Sequence, residues 1–240
     1  MKIALVLAGG RGSRLGAKIP KQYIEVCGNP VISYCMNQLT WHKEIDGIQI
    51  VAQAQWREFI CEKMCAGWAG RKFKEKFKGF SEPGKNRQLS ILQGLRDILL
   101  YADGESVVLI HDGARPCVTE ELVSACFDAV ETGGHEGAVP VLPMKDTVYY
   151  SGDGKRITSL LERGRIFAGQ SPEAFRLGLY YEANCLLLPE KILEVSGSAE
   201  PAVMAGMDIV MIPGDENNFK ITTTADLERF RGMMGKGQKA

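Results

Sequence analysis

The densest cluster of chemistry-bearing residues lies near the N-terminus. There the apolar run 2–7 opens into Leu7-Ala8-Gly9-Gly10-Arg11-Gly12-Ser13-Arg14-Leu15-Gly16. Four glycines directly after a strand let a loop wrap an anion with backbone N–H groups. Arg11 and Arg14 sit in the same loop, with Lys18 and Lys21 close behind. Two familiar phosphate loops do not fit. A P-loop needs GxxxxGK[ST], and neither the spacing nor the Gly-Lys-Ser/Thr occurs; the dinucleotide fingerprint needs a further Gly or Ala where Leu15 stands. Dinucleotide loops hold pyrophosphate mainly through backbone and helix dipole. Cations crowded beside glycines suit a triphosphate, whose charge must be neutralised while a bond to phosphorus breaks. On the residues alone, a structural turn with exposed cations stays open, as does a dinucleotide-binding oxidoreductase, for which binding of NAD would be the sign.

Further segments carry polar side chains at positions that a fold could bring together. Pro83-Gly84-Lys85-Asn86-Arg87-Gln88-Leu89-Ser90 opens a helix, with Asn86 suited to its N-cap. His111-Asp112-Gly113-Ala114-Arg115-Pro116 closes a strand, at the end where open α/β sheets place ligands. Its Asp112 could hold Mg²⁺ on phosphates or merely cap the following turn. Asp146-Thr147, Arg163 and Gln170-Ser171-Pro172-Glu173-Ala174-Phe175 lie on and after a hairpin. An arginine there suits a phosphate, because its fork binds bidentately. Asn217-Asn218-Phe219-Lys220-Ile221-Thr222-Thr223 adds a lysine that alone would read as solvated.

The run LAGGRGSRLG followed by Pro20-Lys21-Gln22 resembles nucleotidyltransferases that load sugar or polyol phosphates onto CTP or related nucleotides. With its motifs in order from residue 3 to about 230, the chain is similar to the 2-C-methyl-D-erythritol 4-phosphate cytidylyltransferase family and its sister, the ribitol-5-phosphate cytidylyltransferases. The resemblance implies transfer of CMP from CTP to a small polyol phosphate with release of pyrophosphate, and Mg²⁺ or another divalent cation as cofactor. It implies a catalytic set of Arg14, Lys21, Arg163 and Lys220, the first two embracing the triphosphate. Ala8, Gly9, Gly10, Gly12, Gly84, Arg87, Ser90 and Asp112 would bind the nucleotide, with Gly84, Arg87 and Ser90 at cytosine and ribose. Asp112, Arg115, Thr147, Arg163 and Ser171 would bind the acceptor, with Ser171 standing where a threonine is usual. A homodimer follows from the resemblance as well, its arm at about 143–168 completing the partner's site.

The family carries Thr-Asp shortly before its last sheet strand, near the acceptor pocket. This chain reads Val195-Ser196-Gly197-Ser198-Ala199-Glu200-Pro201 there, without the aspartate. The methylerythritol acceptor, an isoprenoid precursor, is favoured slightly as the commoner. Ala8-Gly9-Gly10, Gly169-Gln170 and Lys220-Ile221-Thr222-Thr223 look closer to the ribitol branch, which makes CDP-ribitol for cell-wall or capsule polymers. A non-catalytic relative would bind CTP without releasing pyrophosphate; the presence of every charged position argues against it.

To position these residues, short β-rich runs must alternate with helices, which points to an α/β chain with a mostly parallel twisted sheet and helices on both faces. The resemblance makes this a Rossmann-like nucleotidyltransferase fold with a projecting β-hairpin arm. Strands are expected at 2–7, 48–52, 106–110, 137–142 and 208–212, and helices at 30–39, near 55–66, at 86–101, from about Thr119 and at 224–233. Leu89, Leu92, Leu95 and Leu99 share one helical face. Residues 146–162 read as a hairpin turning at Ser151-Gly152-Asp153-Gly154. Arg71-Lys72-Phe73-Lys74-Glu75-Lys76-Phe77-Lys78 reads as a solvated edge rather than a site for an anionic partner. One domain over 1–234 and a frayed tail at 235–240 complete the expected organisation.

Composition narrows the class. A chain of 240 residues suits one large domain or two small ones, and at this size about three quarters of the unfolded surface can be buried without a metal or disulfide staple. The 29 basic and 29 acidic residues cancel, which disfavours a broadly basic nucleic-acid binder but permits a local basic pocket. Glycine, at 27 residues or about 11% against roughly 7% usually, is in excess without a Gly-X-Y period. The seven cysteines, at 27, 35, 61, 65, 117, 126 and 185, read as buried reduced thiols. Zinc is not expected, since Cys61 and Cys65 lack a second ligand pair. Lys2 leads straight into a strand-like run rather than a signal peptide, and no apolar run nears a membrane span, so a cytoplasmic protein is expected.

Overall fold

The computed structural model describes residues 1–10, 19–66 and 69–237. β1 (Lys2–Leu7) is followed by a single 3-10 turn (Lys21–Tyr23), a minimal hairpin of β2 (Glu25–Val26) and β3 (Asn29–Pro30), and α1 (Val31–Trp41). β4 (Gly47–Val51), α2 (Ala54–Ala66), α3 (Gly70–Lys76), β5 (Phe77–Ser81), α4 (Arg87–Ile98) and β6 (Val107–Asp112) continue the alternation. α5 (Glu120–Glu131), β7 (Gly137–Pro143), the arm strands β8 (Tyr149–Tyr150) and β9 (Ser159–Leu160), β10 (Phe167–Gly169) and β11 (Glu173–Arg176) come next. α6 (Leu177–Cys185), α7 (Glu200–Met204), β12 (Ile209–Pro213) and α8 (Thr224–Gly237) close the order.

Eight strands form one sheet in the order β10-β7-β11-β6-β1-β4-β5, with β12 on the opposite edge of β7. Four of its ladders are parallel and three antiparallel. β1, β4, β5 and β6 form a wholly parallel block, so their side chains must be apolar toward both faces. Most are: Ala4, Val6, Ile48, Ile50 and Leu109 pack beneath α1, α2, α3 and α5, while Ile3, Leu5, Val108 and Ile110 pack beneath α4 and α6. The expected helices on both faces are therefore present. Chain order reverses between β1 and β6: from β1 the chain winds outward through β4 and β5, then returns across to β6. That switch point opens a crevice beyond the carboxyl ends of β1 and β6.

Several boundaries differ from the sequence reading. The lysine-rich run is α3 entering β5, with Phe73 buried and Lys74 and Lys78 exposed; Lys72 lies over the Trp41 ring, and half-buried Lys76 donates to the His42 carbonyl. β10 and β11 go unread in the sequence because they are short, and β11 enters antiparallel between β6 and β7. The hairpin is real, but only Tyr149–Leu160 and Tyr150–Ser159 pair. Its turn is held by Asp153, which accepts from the N–H groups of Lys155 (2.8 Å) and Arg156 (2.9 Å). α8 continues through Gly237, beyond the start of the expected tail. The cysteines are free, but only Cys35 and Cys126 are buried. Cys27 is exposed because it occupies, with Gly28, the positive-φ turn of the β2–β3 hairpin (φ 48° and 80°). Among the described residues, no helix is long and apolar enough to cross a membrane.

Candidate functional site

A cavity of about 730 Å³ fills the crevice at the switch point. Of the residues singled out in the sequence, Gly9, Gly10, Lys21, Gly84, Arg87, Ser90, Asp112 and Lys220 line it. Three separate segments, following β1, β5 and β6, thus converge with the stretch after β12. Gly12 and Arg14 lie outside the described residues.

Close backbone approach explains two of the glycines. A Cβ at Gly9 would stand 2.5 Å from Pro83 Cβ, and one at Gly84 would stand 2.4 Å from Leu89 Cβ and 2.9 Å from the Ser90 nitrogen. The Gly9 backbone therefore packs against the Pro83 ring and the Gly84 backbone against the first turn of α4, leaving main chain to face the cavity. Ser90 fastens this arrangement: its hydroxyl accepts from the Gly84 N–H (3.0 Å) and donates to the Asn86 carbonyl (2.8 Å). Asn86 is the N-cap of α4, accepting from the Leu89 N–H (2.8 Å), while its amide donates to the Ile192 carbonyl (2.8 Å).

Lys21 reaches the wall from the turn after Pro20. The neighbouring Gln22 donates to the carbonyls of Ala8 (2.6 Å) and Gly10 (2.8 Å), tying that turn to the glycine loop. Ala8 itself lies behind the wall, its carbonyl also accepting from the Tyr23 hydroxyl (2.9 Å) and its N–H donating to Val51 (2.8 Å). Gln22 is a functional support that the sequence reading quotes without a role; its place beside Lys21 is the only signal available.

Asp112 is the electrostatic centre. One carboxylate oxygen accepts from Arg87 through Nε (3.3 Å) and Nη2 (3.2 Å). The other meets Lys220 Nζ at 2.8 Å and faces Arg115 Nε at 3.7 Å. Burial alone would raise this carboxyl, but Arg87, Lys220 and Arg115 hold it well below the usual carboxylate range. His111, one residue earlier, is pushed down to about 4 by burial and stays neutral near pH 7, bridging to the Arg115 carbonyl (3.0 Å).

The remaining expected residues fall in different places. Ser171 is buried behind Asp112, its hydroxyl accepting from the Asp112 N–H (3.0 Å). It therefore tethers the main chain at the end of β6, because the turn before β11 aims the side chain there. Arg115 likewise stands behind the wall, donating to the Asn218 carbonyl (2.6 Å). Thr147 and Arg163 are exposed on the arm and do not line the cavity of their own chain; Arg163 donates to the Lys145 carbonyl (2.9 Å).

The described side chains do not by themselves build a divalent-cation centre: no group of three or more His, Cys, Asp or Glu residues could hold one. Both Asp112 oxygens already face cations, so a metal ligated there would have to displace Arg87 or Lys220. What the cavity offers is a set of fixed positive charges beside a glycine-lined backbone, suited to a polyphosphate.

A mixed, mostly parallel sheet, covered on both faces and carrying this cationic crevice at its switch point, is an α/β fold suited to a phosphorylated ligand. The sequence model of IspD, 2-C-methyl-D-erythritol 4-phosphate cytidylyltransferase, matches residues 2–236, and the chain belongs to that family. It is 36% identical over 227 residues to the 2-C-methyl-D-erythritol 4-phosphate cytidylyltransferase of Rubrobacter xylanophilus, covering 94% of this chain and 91% of the relative. It is 29% identical over 235 residues to the ribitol-5-phosphate cytidylyltransferase of Streptococcus agalactiae serotype V, covering 97% and 95%. The crystal structure of 4-diphosphocytidyl-2C-methyl-D-erythritol synthase from Anaerococcus prevotii superposes with a TM-score of 0.79 at 25% identity, covering 98% of this chain and 96% of that one. The protein is an enzyme of the cytidylyltransferase class.

Proposed function

We propose that the chain transfers CMP from CTP to 2-C-methyl-D-erythritol 4-phosphate, giving a CDP-polyol and pyrophosphate. The carrying observation is the convergence of Lys21, Arg87 and Lys220 on a glycine-lined cavity at the switch point. Identity to the Rubrobacter relative (36%) exceeds that to the Streptococcus ribitol enzyme (29%), which supports this acceptor over ribitol 5-phosphate. The near-complete coverage of both relatives keeps ribitol 5-phosphate as the second reading.

An oxygen of the acceptor phosphate attacks the α-phosphorus of CTP in line, and the bond to the leaving pyrophosphate breaks. No protein nucleophile or general base is required, since the phosphate oxygen is already ionised. Catalysis is then positioning plus electrostatic stabilisation. Arg14, Lys21 and Lys220 neutralise charge growing on the α-phosphate and pyrophosphate. Gly84, Arg87 and Ser90 seat the nucleoside, and Gly9, Gly10 and Gly12 cradle the phosphates. Asp112 holds Arg87, Arg115 and Lys220 at their places. A divalent cation such as Mg²⁺ would be held beside Asp112 chiefly by the nucleotide that brings it, and would supply further neutralisation of the phosphate charge.

Thr147 and Arg163 bind the acceptor phosphate in a homodimer, reaching into the partner's cavity. Their exposure outside their own chain's cavity supports this, as do the exposed Tyr149, Tyr150, Ile157 and Leu160 on the arm. Residues 1–234 act as one domain with the arm at about 143–168. Free cysteines throughout support a reducing, cytoplasmic setting. Purified protein with Mg²⁺–CTP and each acceptor in turn, followed by pyrophosphate release, tests the reading. A higher kcat/KM with methylerythritol 4-phosphate is expected; a higher value with ribitol 5-phosphate moves the chain to the sister branch.

A further inference from the structure

Directly behind the cations lies a second buried carboxylate, outside the set expected from the sequence. Glu173 opens β11, is 8% exposed and stands in register with Ile110 of β6, two residues before Asp112. Side chains alternate along strands, so Glu173, Ile110 and Asp112 share the face covered by α4 and α6. The charges facing Glu173 are Arg87 of α4, Arg115 and Asp112 at the end of β6, and Lys220 after β12. Tyr180 of α6 and Cys126 of α5 are the neutral titratable groups within its reach.

Glu173 is also anchored from below. Ser198 is buried, and its hydroxyl donates to the Glu173 carboxylate. The Tyr180 hydroxyl donates to the Ser198 carbonyl (2.7 Å), and Gln88 of α4 donates to Tyr180 (3.2 Å). Ser198 belongs to the 195–201 stretch in which the family's aspartate is missing. Here that stretch instead buries a serine against a carboxylate beneath the nucleotide site.

Three cations thus face two buried carboxylates, one lining the cavity and one behind its wall. Burial pushes the Glu173 carboxyl up to about 7, against the opposing pull of Arg87, Arg115 and Lys220. When the negative charge of a triphosphate settles on those cations, their support for ionised Glu173 weakens, and protonation becomes favourable. We propose that Glu173 is a positioning residue of the nucleotide site: its buried carboxylate balances Arg87, Arg115 and Lys220 in the ligand-free protein, and takes a proton from solvent when CTP binds, handing those cations to the phosphates. This rests on the CTP reading above.

Calorimetric titration of the protein with Mg²⁺–CTP near pH 7.5, in buffers of different ionisation enthalpy, counts protons taken up on binding. The wild type should take up more than Glu173→Gln, by roughly half a proton given a group titrating close to the working pH. Between pH 6.5 and 8.5 the wild-type KM for CTP should rise several-fold relative to Glu173→Gln. A purely structural role would change melting temperature but leave the two pH profiles parallel. CTP binding with equal proton uptake in both proteins overturns the inference alone; failure of CTP to bind overturns the nucleotide reading and the inference with it. Should Glu173→Gln not fold, carbon-13 NMR of glutamate-labelled wild type decides. A glutamate carboxyl titrating near neutrality and moving upward with CTP supports the inference, and complete titration of every glutamate by pH 5.5 overturns it.

Discussion

At Asp112 one carboxylate serves Arg87, Arg115 and Lys220 together, and substitutions there and at Lys21 separate charge placement from charge supply. Lys21→Ala removes a cation from the cavity wall without touching the core. By comparison with loss of one oxyanion-hole donor, kcat should fall about 10²–10³-fold while the melting temperature holds. Near-normal pyrophosphate release by that variant would count against the assigned role. Asp112→Asn keeps the shape and removes the charge. Because its carboxyl is depressed in the folded protein, Asp112 stabilises the fold above the unfolded value of about 3.9 and loses that contribution as pH falls below it. Urea melts should therefore show a wild-type advantage at pH 7 that shrinks below pH 4; a pH-independent difference contradicts it. Gly84, Arg87, Asp112 and Lys220 were legible because their types and motifs match a phosphate-handling chemistry. That Ser171 and Arg115 stand behind the cavity wall was not legible, since which side of a strand end they face depends on the antiparallel entry of β11 and on Asn218. Glu173 gave only the signal of a lone acid beside Ala174 and Phe175.

The segment joining β5 to α4 makes the strongest prediction about an element. Asn86 caps α4 and straps it to Ile192, so Asn86→Ala should cost about 1 kcal/mol of stability and raise the KM for CTP more than it lowers kcat. Thermal melts and steady-state kinetics read both effects. An unchanged KM would mean that the Gly84–Ser90 seat does not depend on its cap. The helices were readable because each is long enough to show its period: Leu92 and Leu95 do face the core, and Thr119 caps α5 ahead of Glu120 and Glu121. β5, β10 and β11 were not, since each is five residues or fewer and its place depends on neighbours distant in sequence.

For the whole molecule, a balanced net charge coexists with a cationic crevice, at which Gly9 and Gly84 make close backbone approaches. The dimer proposal has its own test. Lys21→Ala and Arg163→Ala should each be nearly inactive, but mixed and allowed to exchange they should regain about a quarter of wild-type activity, since half the dimers are mixed and each carries one intact site. Recovery that never exceeds the sum of the separate variants contradicts an arm that completes the partner's site. The most direct measurement of the central claim is phosphorus-31 NMR of the purified enzyme with Mg²⁺–CTP and 2-C-methyl-D-erythritol 4-phosphate. The three CTP resonances should give way to a coupled diphosphate pair and inorganic pyrophosphate in equal amounts. CTP left intact with both this acceptor and ribitol 5-phosphate, in a protein that still binds it, would contradict that claim.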